Sequence, residues 1–209
     1  MADCFIMRKA TIKGSDSTEY ITNGLLKSFV MNNFDESENV LIKNISNIVV
    51  SEGMTVECCC MYTGFSDNNA VNKGRIFIFE TNYEMIGMSM YNNILETVMS
   101  TNTLTGWVGD GVTGITVEPN EFVTLAMTSD SNGTKFYKNG TVYGNYADNV
   151  ASRAGDILDV LGVKCDCNRT DRDLLGTVYI IRIYNRVLAE DELIQNMYSD
   201  IQNYRQNTG

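Results

Sequence analysis

The sequence predicts an all-β fold that ends in one α-helix. Short apolar and β-branched runs, separated by turn-forming residues, extend from the start of the chain to about residue 185. Beyond that point the apolar residues recur every three or four positions, which is the period of an amphipathic helix. Many short strands with regular turn signals are typical of a sandwich or a barrel. Because the chain has no linker, repeat or break in composition, we expect residues 1–209 to form one domain.

Several runs have the composition of β-strands. The fourth of them alternates apolar and polar residues, as a half-buried strand does. In chain order, the runs are Val40–Ile48, Gly53–Tyr62, Arg75–Glu80 and Phe122–Thr128.

The clearest hairpin lies between residues 122 and 146. Ser129–Gly133 forms the turn after the first strand, and Thr134–Lys138 is the short second strand. Asn139 and Gly140 both tolerate a positive φ, which a tight type I′ turn requires. A third strand is therefore expected from Thr141.

The terminal helix is predicted over residues 189–204. Glu190, Asp191 and Glu192 lie in its first turn, where the helix dipole favours negative charge. We expect residues 206–209 to be a frayed tail. The apolar stripe of the helix consists of Leu193, Met197, Ile201 and Tyr204, widened by Ile194 and Tyr198.

The charge balance excludes several classes of function. The chain has 16 Lys and Arg against 26 Asp and Glu, a net charge of -10, and no run of cations longer than Arg8-Lys9. Nucleic-acid binding and attachment to anionic membranes are therefore disfavoured. The chain also has no histidine, which excludes Ser-His and Cys-His nucleophiles and His-ligated zinc hydrolases.

The six cysteines do not indicate a secreted disulfide framework. The N-terminus, MADCFIMRKA, lacks the apolar region of a signal peptide, so we expect synthesis in the cytoplasm with reduced thiols. No segment approaches the roughly 18 to 20 apolar residues of a membrane span, and no membrane insertion is expected.

Three segments resemble the concanavalin A-like lectin/glucanase superfamily, and specifically its laminin-G-like and pentraxin-like modules. Residues 23–29 and 53–57 are similar to early strands of these modules, and residues 118–140 to their strand and "Leu-Tyr-Val-Asn-Gly" hairpin. Residues 175–193 are close to the closing "Gly-x-Ile-x-x-x-Arg-Ile-Tyr-Asn-Arg-Ala-Leu" strand and its acidic helix start. The resemblance implies a jelly-roll β-sandwich of two antiparallel sheets. One departure is Ala189, where the family has a Ser or Thr cap, and its loss costs about 1 kcal/mol.

The superfamily includes glycoside hydrolases, which require a pair of carboxylates. Their Glu-x-Asp-x-x-Glu signature is absent from the chain. We therefore predict that the protein is not an enzyme, and we interpret its acidic residues as a solvated surface.

Aromatic residues near turns are the candidates for ligand contact. Trp107 lies in the glycine-rich stretch Gly106–Gly111, where its ring could stack on a sugar. Tyr91, Tyr143 and Tyr146 lie near predicted strand ends and could assist it. The alternative is that these rings fill the core of the sandwich with a hydroxyl at its rim.

Two groups of residues are candidates for binding a metal ion. Asp166, Asn168, Asp171 and Asp173 cluster before the closing strand and offer oxygen ligands that suit calcium, although the interleaved arginines could instead make a salt-bridged loop. The runs 58–60 and 165–167 carry five of the cysteines, which could bind a metal, form a disulfide or remain small reduced thiols.

These observations leave three hypotheses of function. The leading one is a non-catalytic recognition module for a glycan or a protein surface, which would use its loops and one concave sheet face. The second is a bacteriophage structural protein, such as a decoration, fibre or tail component, that assembles on a virion or as a homo-oligomer. The third is a glycoside hydrolase, against which the missing carboxylate pair counts.

Overall fold

The protein is a β-sandwich with a terminal helix. Within the residues that the structure describes, twelve strands form two antiparallel sheets. The predicted all-β sandwich is therefore confirmed, and the barrel alternative is wrong. The computed structural model describes residues 19–31, 40–43, 49, 52–65, 73–80, 85–101, 104–108, 113–146, 160–164 and 174–205.

The first sheet, sheet A, contains the two longest strands at or near its centre. Its closing strand pairs with the strand that carries the three consecutive cysteines, over a register from Tyr184–Thr55 to Leu174–Phe65. Its members, in spatial order, are β1 (Leu25–Val30), β12 (Leu174–Tyr184), β3 (Met54–Phe65), β8 (Val123–Asp130), β9 (Gly133–Lys138) and β10 (Thr141–Tyr146).

The second sheet, sheet B, is built mainly from the middle of the chain. Four of its strands, β5 to β7 and β11, were not predicted from the sequence. Its members, in spatial order, are β2 (Val40–Lys43), β11 (Val160–Val163), β4 (Lys73–Glu80), β5 (Met85–Tyr91), β6 (Ile94–Thr101) and β7 (Leu104–Val108).

The core lies between the two sheets and follows the alternation of their strands. On β3, Val56, Cys58 and Cys60 point inward, and on β5, Met88 and Met90 do so from the other sheet. Each of these side chains is at most 2% exposed. The alternate residues of these strands therefore point away from the core, toward the outer faces of the two sheets.

The hairpin that the sequence predicts is confirmed. β8 and β9 are joined by a turn at residues 131–132, and β9 and β10 by a turn at Asn139 and Gly140. Asn139 has a φ of 51° and Gly140 a φ of 75°, as a type I′ turn requires.

The terminal helix α1 (Glu190–Tyr204) packs on the outer face of sheet A. Ala189 is its N-cap, so the predicted start and end are confirmed. Leu193 packs against Tyr184 and Tyr137, and the ring of Tyr204 stacks on Tyr179 with centroids 5.5 Å apart.

The predicted apolar stripe of α1 is partly wrong. Met197 and Ile201 are half-buried, whereas three polar side chains are at most 1% exposed: Asn196, Ser199 and Asp200. The inner side of the helix is thus mixed, because it covers polar groups of sheet A. In the described part of the chain, no helix is long and apolar enough to cross a bilayer.

Candidate functional site

The outer face of sheet B, on the side away from α1, carries an ordered set of polar residues. The register places Arg75 of β4 opposite Ser89 of β5, and Ser89 opposite Glu96 of β6. Their neighbours Met88, Met90 and Leu95 point into the core. Because successive side chains of a strand alternate between faces, Ser89 and Glu96 point outward.

The polar side chains of this face are bonded to one another. The Nη1 of Arg75 donates to the Oγ of Ser89 at 2.7 Å, and Nζ of Lys73 lies 2.7 Å from Oε2 of Glu96. The side chain of Lys73 keeps 15% of its surface exposed, against 5% for that of Glu96. These contacts link the three strands β4, β5 and β6 and fix the positions of the charges.

Two exposed side chains, those of Tyr91 and Ile94, lie beside these polar residues. Tyr91, the last residue of β5, pairs with Lys73 on one side and with Ile94 on the other. Tyr91 is 43% exposed and Ile94 42% exposed. This end of the face therefore offers an aromatic ring and part of the Lys73 side chain to solvent, whereas Arg75, Ser89 and Glu96 are at most 4% exposed.

The turn between β5 and β6 is held by a buried tyrosine. The hydroxyl of Tyr62, on β3, donates to Oδ1 of Asn93 at 2.8 Å and to the carbonyl of Val117 at 3.1 Å. Nδ2 of Asn93 in turn donates to Oε2 of Glu118 at 3.1 Å. Burial, and then the nearby carboxylates of Glu118 and Glu121, raise the pKa of Tyr62 to about 12, so it remains a donor at neutral pH.

Residues 113–121 run from this turn to sheet A, and hydrogen bonds hold the segment in place at both ends. The amide of Leu95 donates to the carbonyl of Ile115 at 2.8 Å, which aligns the segment with β6. At the other end, Nζ of Lys138 donates to the carbonyl of Thr116 at 2.6 Å and pairs with Glu121 at 2.8 Å. The rim of the face is thus fixed by its own hydrogen bonds.

This arrangement suits recognition of a polar ligand with apolar patches. An exposed ring can stack, while the exposed polar residues of the turn and the rim, Asn92 and Glu118, can form hydrogen bonds. Among the described side chains that the register places on this face, Glu96 supplies the carboxylate, and it is paired with Lys73. Lys73, Ser89 and Glu96 were missed in the sequence, although their alternation with core residues is a signal that could have found them.

The structure places the aromatic candidates in two different sheets. Tyr91 and Trp107 belong to strands of sheet B, with Trp107 in the backbone of β7. Tyr143 and Tyr146 belong to β10 of sheet A, where Tyr143 is 54% exposed. The four residues therefore do not converge on a single strand or sheet.

The predicted metal ligands Asp166, Asn168, Asp171 and Asp173 lie outside the described residues, as do Cys165 and Cys167. Within the described ranges, no group of three or more Cys, Asp and Glu residues could hold a metal ion. Cys58, Cys59 and Cys60 are free and buried, and burial raises the pKa of Cys58 and of Cys59. Buried thiols with a raised pKa are unreactive, and Cys58 and Cys60 pack in the core between the sheets.

The fold recurs in solved structures of low sequence identity. Domain 4 of AbnA, a GH43 extracellular arabinanase from Geobacillus stearothermophilus solved in complex with arabinotriose, has a TM-score of 0.59 and 14% identity over 83% of this chain and 98% of its own. The receptor-binding domain of botulinum neurotoxin D has a TM-score of 0.58 and 13% identity over 84% of this chain and 48% of its own. No curated protein sequence matches the chain.

A Trypanosoma rangeli sialidase in complex with 2,3-difluorosialic acid is also similar, with a TM-score of 0.50 and 15% identity over 71% of this chain and 23% of its own. At these identities the likenesses establish the fold alone. A sequence profile of laminin G type, described as concanavalin A-like lectin/glucanases superfamily, matches residues 34–194. With that profile covering most of its length and two antiparallel sheets in its structure, the chain belongs to the laminin-G-like family of the concanavalin A-like lectin/glucanases superfamily.

Proposed function

We propose that the protein is a non-catalytic module that binds a neutral glycan at the β5–β6 end of the outer face of sheet B. The observation that carries the proposal is the position of Tyr91, an exposed ring in register with the partly exposed Lys73 and adjacent in the chain to the exposed turn residue Asn92. Sugars bind proteins through such combinations, because one face of the ring is apolar while its edge carries hydroxyls.

The likeness to an arabinanase domain solved with arabinotriose supports a carbohydrate as the ligand class. The family membership supports it as well, since the superfamily is named for lectins and glucanases. The absence of a carboxylate pair among the described side chains of the face favours binding over hydrolysis, because hydrolysis of a glycoside needs two acids.

The charges at this end of the sheet favour a neutral sugar over an acidic one. An acidic sugar needs an accessible cation that has no carboxylate of its own. Both lysines here are already paired, and Arg75 is only 1% exposed. Lys73 lies 2.7 Å from Glu96, and Lys138 lies 2.8 Å from Glu121. Glu118 is exposed at the rim and would repel a second carboxylate.

A glycan array tests the proposal when it contains neutral oligosaccharides, arabinotriose among them, together with sialylated and uronic-acid glycans. We expect signal on neutral glycans and its loss in the Tyr91→Ala chain. Tyr143→Ala is the matched control, because Tyr143 is also an exposed tyrosine but lies in sheet A. A repeat with EDTA tests whether calcium takes part, and Trp107→Ala tests whether β7 contributes.

The outcomes separate the alternatives. Equal loss of signal in both tyrosine variants would move the site away from sheet B, and no signal for any glycan would overturn the proposal. Release of reducing sugar from a bound glycan would replace binding by hydrolysis. The virion-assembly alternative stays a prediction, which light scattering after size exclusion tests through the mass of the particle in solution.

A further inference from the structure

Three charged side chains lie completely buried between the outer face of sheet A and helix α1. Glu57 comes from β3, Arg182 from β12 and Asp200 from α1, and each is 0% exposed. Charges are placed in a protein interior at a high cost in free energy unless they are paired. The hydrogen bonds and ion pairs within this cluster determine how much of that free-energy cost is offset.

Asp200 is well satisfied. Its Oδ1 accepts from Nη1 of Arg182 at 2.9 Å, and its Oδ2 accepts from Nη2 of Arg182 at 2.8 Å. Oδ2 also accepts from the hydroxyl of Thr124, on β8, at 3.0 Å. A bidentate pair of this kind is the strongest that a carboxylate makes with a side chain.

Glu57 is satisfied at one oxygen and not at the other. Its Oε2 accepts from Nε of Arg182 at 3.0 Å and from Nδ2 of Asn196, on α1, at 2.7 Å. Its Oε1 is buried and has no hydrogen-bond partner within the described structure. An ionised carboxylate with one unsolvated oxygen is more costly there than a neutral carboxyl group.

The cluster also has one negative charge too many. Two carboxylates share the single guanidinium of Arg182, so full ionisation leaves a net charge of one in a buried space. Burial first, and the nearby Asp200 as well, raise the pKa of Glu57 to about 7 from an ordinary value of 4.5, against the opposite effect of Arg182. Glu57 is thus the group that takes up a proton.

The other titratable groups around the cluster do not compete in this range. Burial raises the pKa of Tyr184, on β12, and of Tyr204, on α1, and that of Tyr20, whose ring lies 4.4 Å from the guanidinium carbon of Arg182. Burial also raises the pKa of Cys59, the neighbouring outward residue of β3. The chain has no histidine, so the ordinary source of titration between pH 5 and 8 is missing.

We propose that Glu57, Arg182, Asp200 and Asn196 form a proton-dependent latch, which holds α1 on sheet A firmly while Glu57 is protonated and less firmly once it ionises. The sign follows from linkage. Since the folded protein binds this proton more tightly than the unfolded chain, the stabilisation is complete below the ordinary value of 4.5 and is lost as the pH rises through about 7.

Hydrogen exchange of the full chain, read by mass spectrometry on peptides that cover α1, tests the latch between pH 5 and 8.5. After correction for the intrinsic rate, we expect the protection of α1 to fall by roughly tenfold or more across this range. In the Glu57→Gln chain, which mimics the protonated acid, we expect a change of less than twofold. Glu192→Gln is the control. Glu192 is also a glutamate, but it lies at the start of α1 and its side chain is partly exposed.

A fall in protection that is equal in the wild-type and Glu57→Gln chains would overturn the latch, and so would constant protection in the wild type. Should Glu57→Gln fail to fold, difference infrared spectroscopy of the wild type supplies a second test. We expect the carbonyl band of a protonated, buried carboxylic acid at pH 5 and its loss at pH 8.5. The absence of such a band at pH 5 would equally overturn the latch.

Discussion

Arg182 and Asp200 face each other through two parallel hydrogen bonds of 2.9 and 2.8 Å, from Nη1 to Oδ1 and from Nη2 to Oδ2. The pair joins the closing strand to the terminal helix, with both side chains fully buried. The helix also meets the sheet through apolar contacts, of Leu193 with Tyr184 and of Tyr204 with Tyr179, and the pair adds a charged contact of fixed geometry to them. The pair therefore helps to determine how the helix is seated.

Replacing Asp200 by Asn should destabilise the protein strongly. The variant leaves the charge of Arg182 buried with a weaker partner, and breaking a buried pair in this way costs about 3 kcal/mol or more. Urea unfolding of both chains at pH 6 measures the difference. Asp191→Asn is the matched control, since Asp191 is an exposed aspartate of the same helix, and its effect should stay below about 0.5 kcal/mol. Similar losses in the two variants would contradict the assigned role of the pair.

The elements that the sequence predicted are those with a strong local signal. The spacing in 189–204 and the Asn139-Gly140 turn act within a few residues, and both are found in the structure. β5 was missed because its outward positions include Gly87 and Ser89, which have low strand propensity.

The buried charges were beyond any local pattern. Glu57 and Arg182 are 125 residues apart in the chain and meet through strand register. The interpretation of acidic residues as a solvated surface is therefore wrong for Glu57 and Asp200, both 0% exposed. The members of the proposed binding face come from three strands, so the alternation within each strand does not show that they meet.

Replacing Gly87 by Ala should disturb the proposed binding sheet. A Cβ at this position would lie 2.4 Å from the carbonyl oxygen of Phe77 and 2.9 Å from Cα of Ile78, so backbone must shift. We expect a loss of more than about 1 kcal/mol, measured by urea unfolding. Gly64→Ala provides the comparison, since a Cβ there meets nothing within 4 Å. Without a clash, Ala should restrict the unfolded chain and stabilise the protein, so an equal loss in Gly64→Ala would contradict the role of the clash at Gly87.

Glu192 should make the start of α1 sensitive to acid. It accepts two hydrogen bonds of 2.7 Å from Arg186, and these bonds lower its pKa from the ordinary value of 4.5. Its contribution is therefore present above 4.5 and is lost as the pH falls through the lowered pKa. Because both side chains are about a quarter exposed, the size should stay below about 1 kcal/mol.

The measurement for Glu192 is the unfolding free energy of the wild-type and Glu192→Gln chains from pH 6 down to pH 3. The gap between the two chains should narrow with acidification. A gap that stays constant to pH 3 would mean that the charge of Glu192 contributes nothing and that its packing does.

Replacing Tyr62 by Phe should weaken the β5–β6 turn without changing any exposed side chain of the proposed site. The variant removes the donor that reaches Asn93 and the carbonyl of Val117, at a cost of about 1 kcal/mol. Hydrogen exchange should rise in the peptide that covers residues 90–96. Tyr143→Phe is the control, because the ring of Tyr143 is exposed. A rise of the same size in the 90–96 peptide of the Tyr143→Phe chain would contradict the role of the Tyr62 hydroxyl.

The affinity for a neutral glycan should be almost independent of salt. Both lysines at the proposed site are held by their own carboxylates, Lys73 by Glu96 and Lys138 by Glu121, Arg75 is buried, and an uncharged sugar adds no long-range attraction. Salt shortens the Debye length from about 10 Å at 0.1 M to about 3 Å at 1 M, so an attraction between charges would weaken over this range. Isothermal titration with the best neutral glycan of the array should give dissociation constants within about twofold at the two salt concentrations. A fall in affinity of tenfold or more for a neutral glycan would contradict this prediction, because it would mean that binding changes the ion pair of Lys73 or of Lys138.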